Sequence, residues 1–464
     1  MKKIFKFTYI FIIILSTSCS DDIIDKDPLD SVSPGNLFLT EGGFRTALDG
    51  VYAIMQEDLL GYNFGVYSIP EAINDDIIIG ASGGFTFDNT HADIYPLNYD
   101  PSEFQFELFW KTSFQALNHV NTIIKGARES NLTNKNVYLA EALGLRAMLN
   151  YNLYRFFAPA FNTSESALSV PYRFETDGLL DIKPRNTNEQ VIGFILNDLN
   201  EAVVIASNDV NSYKLSKTGI QALLARVYHE TGDFANAITF ANSALTDGRY
   251  ALGTDAAAIK NQWEQDDSDE IIFRIRFDAS DNGANAAMLA IPLYWSFPYF
   301  VSNDLINLYD QTNDTRFNTY FELDPNGSGS FYPKKHVGLR TADAATFTVG
   351  ATDIKLVRVP ELYLILAESY DKTSNSASAL SNLNILRNAR GIGDYTGSNL
   401  SNEILNERRR ELAFEGFRFT DLKRLGLGFT RPDGTTLAPN ADRFALPIPQ
   451  LEIQRSGLTQ NDGY

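Results

Sequence analysis

Residues 221–245 decide the fold, because they contain two helical patterns joined by a tight turn. They read QALLARVYHETGDFANAITFANSAL, and apolar or small residues recur at spacings of three and four on both sides of Gly232. Gly232 suits the end of one helix, and Asp233 suits the start of the next. The stretch therefore predicts a tetratricopeptide-like pair of helices, 221–229 and 233–245. The second helix has small side chains at Ala237, Ala241 and Ala244, which allow the two helices to pack closely.

The same helical period recurs along much of the chain. Residues 270–277 alternate over their second half instead and predict a strand. The predicted fold is therefore mainly α: tetratricopeptide-like helix pairs form an α-α superhelix, combined with a loop-rich, partly β ligand-binding region. The other predicted helices cover residues 139–157, 191–205, 356–370 and 377–389, and one long final helix covers 404–425.

Composition and charge exclude several classes of protein. The 464 residues are 44% hydrophobic and 21% charged, which is enough to bury a large core. The formal charge of −19 argues against binding to nucleic acid and against electrostatic docking on an anionic membrane. A single cysteine and four histidines leave little material for a metal centre, so we expect no cofactor and no metal.

The N-terminus has the pattern of an export signal. Three lysines precede an apolar run of 7 residues, 9–15, which fits a signal peptide but is too short for a spanning helix of about 20 residues. Small residues at 16–18 then lead to Cys19, as in a bacterial lipobox whose cysteine carries lipid. An ordinary signal peptide with a chance cysteine is the alternative. Cleavage before Cys19 would remove three lysines and no acid, which changes the charge from −19 to −22.

The predicted organisation has three parts. Residues 1–18 form the lipoprotein signal peptide, 19–33 a lipidated flexible tether, and 34–464 a single domain. Within this domain we expect helical repeats mainly at 102–247 and 355–426, and a loop-rich ligand region at 61–101 and 250–354. Long loops in a compact chain usually serve a function.

Several ordered stretches resemble one known family. The most specific is 407–424, ERRRELAFEGFRFTDLKR. On these residues the chain resembles the SusD/RagB family of outer-membrane lipoproteins, and the resemblance extends almost from end to end. The other matching stretches are 44–52 (FRTALDGVY), 141–147 (EALGLRA) with Tyr151, 222–245, Arg358 with Glu361, Ala367 and Glu368, and the C-terminal 446–449 (LPIP) and 460–464 (QNDGY).

The resemblance implies a nutrient-binding protein. Members of this family are lipid-anchored in the outer membrane, face the cell exterior, bind oligosaccharides and deliver them to a TonB-dependent, SusC-like β-barrel transporter, without catalysis. Some branches bind peptides instead. A surface hydrolase is a further alternative, because residues 80–84 match the G-x-S-x-G pattern, but no helical pattern follows them. A pure protein-binding scaffold is also open.

Two clusters of aromatic residues in loop sequence are the candidate ligand contacts. Sugar rings stack an apolar C–H face on aromatic side chains, and their hydroxyls pair with short polar side chains. Packing of the same aromatics beneath long loops is the alternative. The resemblance adds an acid, Asp76, near the ligand. The predicted ligand-binding residues are Asp76, Phe85, Phe87, Asn89, Tyr95, Tyr294, Trp295, Phe297, Tyr299 and Tyr332.

Two charged stretches are interpreted as structural. In 407–424, acids and arginines recur at spacings of three and four, which indicates a helix with ion pairs along one side. Neighbouring arginines lower the pKa of a carboxyl, whereas a general acid needs a raised pKa, so acid–base catalysis is the weaker interpretation. The acidic run 266–270 lacks the spacing of a calcium loop and predicts a solvated turn.

Overall fold

The computed structural model describes residues 34–57, 64–79, 93–162, 164–176, 178, 181–208, 211–277, 299–324, 327–336, 338 and 352–464. The helices are α1 (Pro34–Leu37), α2 (Glu41–Glu57), α3 (Ile69–Ala72), α4 (Phe104–Glu129), α5 (Lys135–Phe157), α6 (Asn188–Ile205), α7 (Lys217–Thr231), α8 (Phe234–Leu245), α9 (Ala256–Glu264), α10 (Asn303–Ile306), α11 (Phe317–Tyr320), α12 (Val359–Lys372), α13 (Ser376–Ala389), α14 (Leu400–Glu411), α15 (Arg418–Arg424) and α16 (Gln450–Ser456). The strands are β1 (Ile77–Ile79), β2 (Ile271–Ile275), β3 (Tyr299–Val301), β4 (Phe321–Leu323), β5 (Phe331–Pro333), β6 (Ile354–Arg358), β7 (Phe429–Thr430) and β8 (Thr436–Leu437). The mainly α prediction is confirmed.

The helix pair predicted from residues 221–245 is present as α7 and α8. Gly232 ends α7 with a φ of 82°, in the left-handed region that glycine adopts without strain. The Asp233 side chain accepts a hydrogen bond from the backbone N–H of Asn236 and so begins α8. Three small side chains of α8 are buried, as expected for close packing, namely Ala237, Ala241 and Ala244.

The helices pack side by side as a continuous layer. Successive contacts join α4 to α5, α5 to α6, α6 to α7 and α7 to α8, and α8 then packs on α12. Helix α5 is buried on all sides from Leu139 to Phe157, so it forms the centre of the core. Buried ion pairs also cross this layer: Arg146 of α5 binds Asp198 of α6 at 2.7 Å, and Arg226 of α7 binds Glu361 of α12 at 2.6 Å.

The strands form two-stranded antiparallel pairs. Strand β2 confirms the strand predicted at 270–277, and it pairs with β6. The predicted helix 356–370 was wrong at its start, because residues up to Arg358 belong to β6 and α12 begins only at Val359. Apolar residues at 354–357 fit both a strand and a helix, and Pro360 in the first turn favours a helix start immediately before it.

The predicted long helix 404–425 was also wrong. Helix α14 ends at Glu411, and α15 begins at Arg418. Between them Phe414 and Gly416 adopt φ values of 64° and 76°. A Cβ at Gly416 would lie 2.1 Å from the carbonyl oxygen of Val66, so only glycine fits. The backbone N–H of Gly416 donates to the Glu71 carboxylate at 2.9 Å, which holds this sharp turn against the N-terminal part of the chain.

Charged residues of 407–424 form a buried cluster instead of a ladder along one helix surface. Glu411 accepts hydrogen bonds from Arg316 and Arg390, both at 2.9 Å, and from Arg358 at 3.0 Å. Arg390 also donates to Glu270 at 2.8 Å. The ion-paired interpretation is therefore confirmed, but most partners come from other elements. We call these five residues the Glu411 cluster.

The cluster corrects the interpretation of the acidic run 266–270. Glu270 is fully buried between Arg358 and Arg390, and Asp266 pairs with the buried Lys355. The predicted solvated turn was therefore wrong at both ends of the run. A buried carboxylate is tolerated here because two guanidinium groups compensate its charge.

The arginines also set the titration of neighbouring carboxyls. Burial alone would raise the pKa of Glu407, but Arg316 and Arg410 outweigh burial and lower this pKa to about 2. The pKa of Glu411 is likewise held well below its usual range by Arg390, Arg358 and Arg316, despite burial. Both carboxyls therefore remain ionised at neutral pH.

We expect Gly416→Ala to lower the free energy of unfolding by about 2–5 kcal/mol, because it adds backbone strain and a clash with Val66. The matched control is Gly434→Ala, where φ is also positive but a Cβ meets nothing within 4 Å. The control should lose only about 1 kcal/mol. Urea unfolding measures both, and equal losses would contradict the close-approach argument.

The low pKa of Glu407 predicts an acid-sensitive contribution to stability. A carboxyl whose folded pKa is about 2 stabilises the fold above its unfolded pKa of 4.5 and loses that contribution as pH falls towards 2. Between pH 4.5 and pH 2, the free energy of unfolding of the Glu407→Gln variant should therefore fall by about 3 kcal/mol less than that of the wild type. The control is Glu129→Gln, whose side chain is 64% exposed. Parallel pH curves for wild type and Glu407→Gln would refute the assignment.

Candidate ligand-binding site

The pairing of β1 with β3 connects the two aromatic clusters predicted from sequence. Ile77 lies opposite Val301, and Ile79 lies opposite Tyr299. Strand β1 leads into residues 80–92, and β3 follows residues 278–298, so both segments join the same end of this ladder. Cys19 lies outside the described residues. So do six candidate residues of these two segments, namely Phe85, Phe87, Asn89, Tyr294, Trp295 and Phe297.

Asp76 lies at the other end of the ladder, immediately before β1. Its side chain is fully buried, and Oδ1 accepts a hydrogen bond from Arg409 Nε at 2.7 Å. Its carbonyl oxygen accepts from the backbone N–H of Ser302 at 2.8 Å, next to β3. Asp75 accepts two hydrogen bonds from Arg418, at 2.7 and 2.8 Å. Arginines of α14 and α15 thus fix this acid pair from the far end of the chain.

The two acids differ in their titration. Burial raises the pKa of Asp76, although Arg409 opposes this effect. Asp75 is also largely buried, but Arg418 and Arg409 lower its pKa below the usual value. The pair therefore has one firmly ionised carboxylate, Asp75, which anchors the two guanidinium groups.

Arg431 holds both sides of the segment 80–92. It donates hydrogen bonds to the carbonyl oxygens of Ala72 and Asn74, at 2.8 and 2.7 Å, before this segment. It also donates to the carbonyl oxygen of Tyr95 after the segment, and its guanidinium carbon lies 3.9 Å from the centre of the Tyr95 ring. The two ends of a candidate ligand segment are therefore fixed by one side chain.

The remaining described candidates also lie around the ladder. Tyr299 belongs to β3, and burial raises the pKa of its hydroxyl, which therefore stays protonated. Tyr332 of β5 stacks on Phe300 with ring centres 4.9 Å apart. The side chains of Asp76, Tyr95, Tyr299 and Tyr332 are all less than a tenth exposed. They form a buried base, and their contact with a ligand stays a prediction.

Sequence reasoning missed the arginines that build this base. It placed Arg418 in ion pairs along one helix and gave neither Arg409 nor Arg431 a partner. One signal was available: three consecutive arginines, Arg408, Arg409 and Arg410, point in different directions on a helix, so they cannot all pair along one side. Their partners on distant segments have no local signature.

Among the described residues, no group of three or more His, Cys, Asp or Glu side chains is arranged to hold a metal ion. No helix there combines the length and apolar character needed to cross a membrane.

Comparison with known proteins identifies the family. Residues 322–464 match the SusD family model, and residues 40–229 match a family model described as starch-binding associating with outer membrane. The chain belongs to the SusD/RagB family, and the resemblance inferred from sequence is confirmed.

Relatives of similar length support this assignment. SusD-like protein P2 of Formosa agariphila is 24% identical, and the match covers 100% of both chains. A SusD superfamily crystal structure from Bacteroides thetaiotaomicron has a TM-score of 0.79 at 24% identity, covering 90% of this chain and 99% of that one. A putative sugar binding protein from Bacteroides vulgatus has the same TM-score at 23% identity, covering 91% and 98%. These structures confirm the tetratricopeptide-like helical fold.

We expect Arg431→Lys to lower the free energy of unfolding by about 2–3 kcal/mol. Lysine keeps the charge but cannot reach three carbonyl oxygens with one planar group or stack on Tyr95 in the same way. Arg455→Lys, at an exposed position of α16, is the control and should change stability by less than about 0.5 kcal/mol. Chemical unfolding measures both, and equal stability of the two variants would contradict the proposed role of Arg431.

Proposed function

We propose that this chain is a cell-surface lipoprotein of the outer membrane that binds oligosaccharides and delivers them to a SusC-like, TonB-dependent transporter. The observation that carries the proposal is the β1–β3 ladder, since both aromatic segments join the described fold at one end of it. Aromatic rings beside polar groups suit sugar rings, which have apolar faces and hydroxyl edges.

Family membership supports the same function. One matching family model is described as starch-binding, and one structural relative is called a putative sugar binding protein. We propose binding without catalysis. In support, each acid beside the ladder is bound by a guanidinium group, Asp75 by Arg418 and Asp76 by Arg409, and the Asp76 side chain is fully buried. A general acid must lie within hydrogen-bond reach of the substrate, and a buried carboxyl bound to an arginine does not offer that contact.

The membrane anchor is part of the proposal. Residues 1–18 would be removed as a signal peptide, Cys19 would carry the lipid, and 19–33 would connect it to a single domain, 34–464. The anchored domain would face the cell exterior. A family model whose description associates its members with the outer membrane supports this location.

The test uses the chain from Ser20 onward and a glycan and peptide array, followed by titration of the strongest ligand. The double variant Phe87→Ala, Trp295→Ala should bind at least tenfold more weakly, because stacking on each ring contributes about 0.5–1.5 kcal/mol beyond its buried area. Phe104→Ala removes a 40% exposed aromatic side chain of α4 and is the matched control.

Each result has a distinct meaning. Unchanged affinity in the double variant, with its helical circular dichroism preserved, would overturn the site. Binding of peptides alone would keep the family and change the ligand class. Turnover of a bound glycan would favour the surface hydrolase and refute binding without catalysis.

A further inference from the structure

A small cavity of mixed polarity lies beside the acid pair Asp75 and Asp76. Its volume is about 200 Å³, and it opens between α14, α15 and the residues that follow α15. It differs from the aromatic segments in its chemistry, because three guanidinium groups, two amides and the carboxylates of Asp76 and Asp421 share its wall with apolar side chains. The lining residues used below are Asn402, Leu405, Asn406, Arg409, Arg418 and Leu427.

Two arginines of the cavity are held in position by carboxylates and keep N–H groups that are not hydrogen-bonded to any described residue. Arg409 uses Nε and Nη2 to bind Asp76 and Asp75. Arg418 uses Nε and Nη2 to bind Asp75. Each guanidinium group therefore has an Nη1 that is not hydrogen-bonded within the described ranges. The bonds to the carboxylates already fix the orientation of the guanidinium plane. Donors held in this way lose little conformational entropy when a ligand accepts from them.

Two asparagines add further polar groups on the same side. Asn402 and Asn406 are one helical turn apart on α14, and Arg409 follows on the same face. Within the described part of the chain, neither side-chain amide makes a hydrogen bond, and the backbone N–H of Asn402 donates to the Asn399 side chain. Leu405 and the 44% exposed Leu427 provide apolar surface between them.

Arg408 also lines the cavity, and one of its donors is buried without a partner in the part of the chain that the structure describes. Its side chain is 5% exposed, and Nε binds the Asp421 carboxylate at 2.8 Å. Its Nη1 is buried and finds no hydrogen-bond acceptor among the described residues. Buried polar groups in proteins are nearly always paired, so an unpaired guanidinium N–H is a specific surplus of donors at this place.

We propose that this cavity binds the anionic group, carboxylate or sulfate, of an acidic sugar; the inference rests on the proposed oligosaccharide binding. The oxygens of the anionic group accept hydrogen bonds from Arg409 and Arg418. The amides of Asn402 and Asn406 pair with ring hydroxyls, and Leu427 contacts the C–H face of the sugar. The cavity holds one sugar residue, so it recognises a single acidic unit of a longer ligand.

Direct contacts with the anionic group, and not the long-range electrostatic field of the protein, drive this recognition. Arg408, Arg409 and Arg418 are paired with Asp421, Asp76 and Asp75, so most of the positive charge of the site is compensated at a distance. The chain itself carries −19, which slows the approach of anions. Screening over about 8 Å at physiological salt weakens this repulsion, whereas direct charge-assisted hydrogen bonds persist.

The experiment is calorimetric titration of the chain from Ser20 with D-glucuronate, glucose 6-sulfate and D-glucose. We expect at least one of the acidic sugars to bind at least tenfold more tightly than glucose. Asn402→Ala with Asn406→Ala should weaken that binding at least fivefold, because two hydrogen bonds to the sugar are lost from side chains that bind no other described group. Asn242→Ala, an exposed helical asparagine of α8, is the matched control and should bind like wild type.

Binding of glucuronate alone assigns the cavity to uronic acids, and binding of the sulfate alone assigns it to sulfated sugars. Equal binding of glucose, unchanged affinity in the Asn402, Asn406 variant, or no binding of either acid overturns the inference. The Phe87, Trp295 variant should bind these monosaccharides normally. Its loss of oligosaccharide binding therefore tests the proposed function separately from the cavity.

Discussion

The hydrogen bonds between Glu411 and three arginines are the interaction on which the rest of the structure depends. The arginines come from three separate places: Arg358 ends β6, Arg390 follows α13, and Arg316 precedes α11. One carboxylate at the end of α14 thus joins the helical layer to the loop-rich part. Its removal would take one counter-charge from each of three buried guanidinium groups and leave them to Asp314, Glu270 and other acids, which is more costly than loss of a surface ion pair.

The same turn of helix that ends in the Glu411 cluster also organises the ligand side of the molecule. Arg410 binds Glu407 within α14, and Glu407 in turn accepts from Arg316 of the Glu411 cluster. Arg409 binds Asp76 before β1, and Arg408 binds Asp421 of α15. Three consecutive residues therefore contact a neighbour of the cluster, the base of the ladder and the wall of the small cavity. The region that contacts ligand in our proposal is supported by the most strongly ion-paired part of the core, which keeps its geometry rigid.

What could be predicted from sequence was local. The pair α7–α8 follows from Gly232, Asp233 and three small residues, all within one stretch. The break at Gly416 was missed because apolar and charged residues keep a helical period through it, and only the contact with Val66 explains it. Glu270 was taken for a solvated residue because its arginine partners are distant in sequence.

Prediction of the candidate site from sequence was limited in the same way to local features. Its aromatic residues stand out in loop sequence, and Asp76 came from the family resemblance. The guanidinium groups that hold the acid pair and Tyr95 could not be predicted, because each bond joins residues more than 330 positions apart. Spacing rules describe neighbours on one element, and they contain no information about such pairings.

The long-range bonds of helix α3, just before β1, have a consequence for the order of folding. Glu71 is held by Gly416, and Ala72 is held by Arg431, at sequence separations of 345 and 359. Helices α4 to α8 contact their neighbours in chain order and can assemble as they are synthesised, but contacts this distant form late. The residues leading into the aromatic segment 80–92 are synthesised early, but their long-range hydrogen bonds form last. A nascent chain therefore acquires its ligand face only after almost its entire length has been produced.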